Sequence, residues 1–87
     1  MNQTETAAII PFPAARRRRF VGRQAERMAE ISPDAAERHL EQQLHIQRRA
    51  MNRKGIEPDV IERELRALEH AIRSALWRAI LTPGGAA

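Results

Sequence analysis

The chain has 87 residues, of which 15 are basic and 11 acidic, giving a formal net charge of +4. One domain is the reasonable count at that length, and the absence of cysteine excludes disulfide scaffolds, cysteine-ligated zinc and thiol catalysis. The only aromatics are Phe12, Phe20 and Trp77, and a composition rich in Ala, Arg, Glu and Leu argues against a sheet-rich fold.

The chain opens on an apolar run, Ala7 to Phe12, that is too short for the core of a signal peptide and is followed, not preceded, by arginines. Arg17-Arg18-Arg19-Phe20-Val21 matches part of a twin-arginine export pattern, but Gly22-Arg23-Gln24-Ala25-Glu26 follows where an apolar stretch is needed. No run approaches the roughly 18 apolar residues of a transmembrane helix. A soluble cytoplasmic protein without a transmembrane segment is the expectation. Pro11 and Pro13 favour an extended backbone for Ile9-Ile10-Pro11-Phe12-Pro13, so residues 1–13 are expected to form a flexible or extended segment.

The prolines at 11, 13, 33, 58 and 83 divide the remainder into three blocks of helical period. The first predicts a shorter, basic, amphipathic helix over about 14–31. It places Arg16, Arg19, Arg23 and Arg27 on one stripe and Val21, Ala25 and Met28 on another. Ser32-Pro33-Asp34 reads as N-cap, first helical position and acidic first turn of a second helix, about 33–54, with Gly55 as its left-handed stop. Pro58-Asp59 opens a third, about 58–81, which Thr82-Pro83-Gly84 closes. Residues 14–82 are thus read as a single helical domain and 83–87 as a disordered tail.

Two apolar stripes support a coiled-coil-like hairpin. Leu40, Leu44, Gln47 and Met51 share one face of the second helix, and Ile61, Leu65, Leu68, Ile72, Ala75 and Ala79 share one face of the third. With a short loop centred on Ile56, antiparallel packing sets Met51 against Ile61, Leu44 against Leu68, Leu40 against Ile72 and Ala36 against Leu76. The fold class expected is all-α: a long antiparallel helical hairpin preceded by the basic helix and an extended N-terminal segment.

Charge is unevenly placed. Residues 24–87 carry ten basic and ten acidic groups, so the whole excess lies in the first 23 residues, where Arg16, Arg17, Arg18, Arg19 and Arg23 stand against Glu5. A basic amphipathic segment of this kind suits a phosphate backbone or another anionic partner, and equally a solvated helix end under an arginine-rich composition. Trp77 and Leu81 fall almost opposite the seam of the third helix, on the side of His70 and Ser74. A tryptophan is expected to be covered, here by the first helix, by the Ile9–Pro13 segment or by a second subunit. Ile9, Ile10, Phe12, Trp77 and Leu81 are accordingly the candidate protein-interaction surface. A domain of this size buries little area, which also points to a homodimer or a protein partner.

No catalytic constellation is present. His39, His45 and His70 form no i, i+4 pair and no Glu-x-x-His; Ser32 is used as a cap; Gly22 and Gly55 stand alone and cannot form a phosphate loop. Enzyme activity, metal, cofactor and small-molecule ligand are therefore not expected.

The start Ile9-Ile10-Pro11-Phe12-Pro13 with Arg16-Arg17, then Arg23-Gln24-Ala25 and Met28-Ala29, resembles a family of short bacterial proteins of unknown function. Ala36-Glu37-Arg38-His39-Leu40, the turn Arg53-Lys54-Gly55-Ile56-Glu57-Pro58 and Leu76-Trp77 are similar as well. The resemblance implies a recurrent small helical unit and supplies no catalytic residues. Two functions follow as expectations: a helical protein-interaction module, self-associating or docked on a partner, and a small nucleic-acid-associated protein binding weakly and nonspecifically through Arg16–Arg19 and Arg23.

Overall fold

The structure, a computed structural model, describes residues 14–81. These form three helices and no strand: α1, Ala14–Ala29; α2, Pro33–Arg53; and α3, Pro58–Leu81. The expectations for residues 1–13 and for the tail lie outside the described residues.

The helix boundaries follow from local chemistry. Ser32 is the N-cap of α2: its backbone is extended, and its Oγ accepts a hydrogen bond of 3.2 Å from the Ala35 amide. This satisfies one of the donors that a helix start leaves unpaired. The extended Ser32, as a residue before proline prefers, also ends α1 sooner than periodicity alone suggests. Glu30 and Ile31 close it with amide bonds to the carbonyls of Arg27 (3.1 Å) and Met28 (3.4 Å), a tightened last turn rather than two more helical residues.

At the other end of α2, Gly55 takes a left-handed φ of 76°. Its amide donates to the carbonyl of Asn52 (3.0 Å), and the Ile56 amide donates to that of Met51 (3.1 Å). Ile56 packs on the cluster containing Met51. The paired bonds, the glycine and the apolar contact together make a Schellman stop, and Pro58 restarts the chain as α3.

Two clusters form the core. Met51, Ile61 and Leu65 pack beside the α2–α3 turn, flanked by Leu44 and Ile56. Phe20 and Met28 of α1, Ala36 and Leu40 of α2, and Leu68 and Ile72 of α3 form the other, with Val21, Ile31, Leu44 and Leu76 at its margin. Ile72 is fully buried and Leu40 is 1% exposed. The seam positions read from periodicity are thus largely those the helices bury. Ala79 is the exception: it is exposed, because Leu76 already packs in the cluster of Ala36, near the first residue of α2, and α3 continues past it.

Phe20 occupies a different place from the one its arginine neighbours suggest. It turns into the core with 8% exposure, which withdraws its ring from stacking on bases.

Candidate interaction surfaces

Ion pairs fix how the helices meet. Arg73 donates to both carboxylate oxygens of Glu37 (2.8 and 2.9 Å) and, from Nε, to Glu69 (3.0 Å). Arg48 and Glu62 form a second bidentate pair. Position 37 of α2 therefore lies near position 73 of α3, and position 48 near position 62. The hydrogen bonds from Arg73 hold the Glu37 carboxyl below its ordinary range, and those from Arg48 do the same for Glu62. Both pairs are solvent-exposed, so they set register more than they add stability.

α1 is tied on both sides. Arg17 donates to Glu64 of α3 at 3.2 Å, and His39 Nε2 of α2 is hydrogen-bonded to the side-chain Oε1 of Gln24 at 2.6 Å. The start of α1 thus lies beside Glu64, while Met28, Ala29 and Ile31 lie beside Leu76 and Ile80.

Of the predicted arginine cluster, Arg16, Arg18, Arg19 and Arg23 are exposed and have no acidic partner among the described residues. Arg17 is half-buried and committed to Glu64. The structure thus separates one of the five from the rest. The stripe of Arg16, Arg19, Arg23 and Arg27 is exposed along its length, while Ala25 and Met28 are buried.

Of the predicted protein-contact residues, Trp77 and Leu81 are 62% and 67% exposed. α1 does not cover the tryptophan, although it packs along the same helix. At about 1.5 Å per residue, Trp77 lies roughly 20 Å along α3 from Glu64, so the chain enters α1 far from it. Ile9, Ile10 and Phe12 lie outside the described residues. Sequence reasoning missed Ile80, 52% exposed, which with Leu76 and Trp77 lines a shallow apolar hollow beside Arg73. Its i+3 spacing from Trp77 was the available signal.

A second feature needed tertiary structure to appear. α1 and α3 border an open groove of about 590 Å³. Arg17, Arg18, Val21 and Gly22 line it from α1, and His70, Ser74 and Arg78 with two alanines line it from α3. Among the described residues no helix is long and apolar enough to cross a membrane, and no group of three or more His, Asp or Glu residues is placed to hold a metal ion.

Residues 5–87 match a family of unknown function, DUF6074, and the chain belongs to it. No curated protein and no solved structure gives a significant match.

Proposed function

We propose that the chain is a small helical protein-interaction module in which α2 and α3 form an antiparallel hairpin, α1 packs along it, and the C-terminal end of α3 docks a second copy or another protein. The pairing of Glu37 with Arg73 and Arg48 with Glu62 supports the hairpin, since rising positions on α2 meet falling ones on α3. The observation that carries the docking reading is the apolar end itself. Trp77, Ile80 and Leu81 are each more than half exposed on adjacent turns. Large apolar side chains grouped in this way mark interaction sites, and tryptophan is enriched where binding energy concentrates.

The expected result is concentration-dependent association in size-exclusion chromatography with light scattering over about a hundredfold dilution, lost in a Trp77→Ala/Leu81→Ala variant that keeps its helicity. A wild-type chain that stays monomeric throughout removes self-association and leaves only a heterologous partner.

A second reading is favoured by the exposure of Arg16, Arg18, Arg19 and Arg23 without acidic partners among the described residues. They are free to contact phosphates nonspecifically, with no exposed aromatic beside them among the described residues to stack on bases. Four such contacts predict an affinity for an oligonucleotide that falls roughly a hundredfold between about 50 and 200 mM salt. Replacing these four with alanine should abolish binding, whereas Arg17→Ala should change it little. Affinity indifferent to salt or to the fourfold variant sinks this reading.

A further inference from the structure

We infer that the groove between α1 and α3 receives an acidic amphipathic helix from a partner protein. The inference rests on the reading of the chain as an interaction module and names the chemistry of what it takes.

The first argument is shape. The groove runs between two packed helices and is open to solvent, with Val21, Gly22, Ala71 and Ala75 as its uncharged, small to medium lining. Side chains of this size let a third helix approach to the 8–10 Å axis separation typical of packed helices. An open trough of this form matches the profile of a helix.

The second argument is Gly22. It sits in the middle of α1 with no left-handed backbone angle, and a Cβ added there would meet nothing within 4 Å. Neither the helix nor the packing of the described residues requires glycine, and glycine weakens a helix relative to alanine. Its open side faces the groove. A neighbour arriving from outside would supply the close approach that is lacking among the described residues.

The third argument is charge. The lining carries Arg17 and Arg18 against His70 and Arg78, and none of the described acidic residues lines the groove. Arg17 already shares Glu64, while Arg18 has no acidic partner among the described residues. The complement is a helix with short apolar residues on one face, flanked by glutamate or aspartate. A second copy would come with four of its acidic residues, Glu37, Glu62, Glu64 and Glu69, already tied to Arg73, Arg48 and Arg17.

The test uses the full chain and a fluorescently labelled peptide of about 20 residues, long enough to hold helical structure, with alanine and leucine on one face and glutamate on both flanks. A control peptide carries glutamine for glutamate. Anisotropy titration should give saturable binding to the first and at least about tenfold weaker binding to the second. Gly22→Leu, which adds bulk to the lining, should weaken binding at least about tenfold, with thermal melts showing that the variant folds. Gly22→Ala should raise the melting temperature by roughly 2–6 °C. Should Gly22→Leu not fold, Arg18→Glu, at an exposed position, carries the same comparison.

Absence of saturable binding overturns the inference, as does equal affinity for the glutamine peptide or undiminished binding by a folded Gly22→Leu. Peptide binding lost in Trp77→Ala but kept in Gly22→Leu places the peptide on the apolar end, which overturns the groove and leaves the module reading standing. Groove binding in a chain that never self-associates supports the inference and limits the module to heterologous partners.

Discussion

Replacing Phe20 with alanine should destabilise the folded chain by about 3–5 kcal/mol and release α1 first. The magnitude follows from where the ring sits. Phe20 is 8% exposed and belongs to the cluster that joins Met28 of α1 to Leu40, Leu68 and Ile72. α1 has little of its own to fall back on. Its first turn holds no acidic residue, and Arg16 and Arg17 place positive charge at the end of the helix where the macrodipole is already positive. Gly22 weakens its middle. α1 is therefore helical because it is packed, and the ring is its largest anchor. Hydrogen exchange should show α1 amides losing protection well ahead of those in α2 and α3, and urea titration should give the loss in stability. A change below about 1 kcal/mol, or uniform loss of protection in all three helices, contradicts this account.

Ile72→Ala should cost a similar amount, about 2–5 kcal/mol, with a different signature. Ile72 is fully buried in the cluster where all three helices meet. Truncating it leaves a cavity that no single helix can close by shifting, because each neighbour is held by the other two. Exchange should accelerate throughout the bundle rather than in α1 alone. Total stability of small domains is only about 5–15 kcal/mol, so either variant can leave a measurable unfolded fraction at ambient temperature. Ile46→Ala is the control: the side chain is 44% exposed, and its loss should change stability by no more than about 0.5 kcal/mol. Equal effects of Ile72→Ala and Ile46→Ala in urea titration would mean that the core is not where the packing places it.

Much of the fold was legible because its signals are local. Ser32-Pro33-Asp34 and Gly55 mark helix ends through backbone chemistry that needs no distant partner, and the stripes through Leu40 and Ile72 record burial along single helices. Phe20 and Trp77 were not legible in the same way. Each lies on a helix whose pattern allows either exposure, and the outcome depends on which neighbour arrives. Phe20 is covered because α1 meets both other helices there. Trp77 stays open because α1 ends beside Leu76 and Ile80 rather than across the tryptophan. The groove lining combines Arg17 and Arg18 with His70 and Arg78, residues more than fifty positions apart in sequence, which no periodicity within one helix can bring together.

The exposure of Trp77 has a practical side. It is the sole tryptophan, and tyrosine is absent, so nearly all intrinsic fluorescence comes from an indole that is 62% exposed in the folded chain. Its emission should shift little as the bundle melts, and unfolding is better followed by helicity. The same indole should turn blue and resist quenching when a surface closes over α3, which gives the chain a built-in signal for occupancy in place of the usual one for folding.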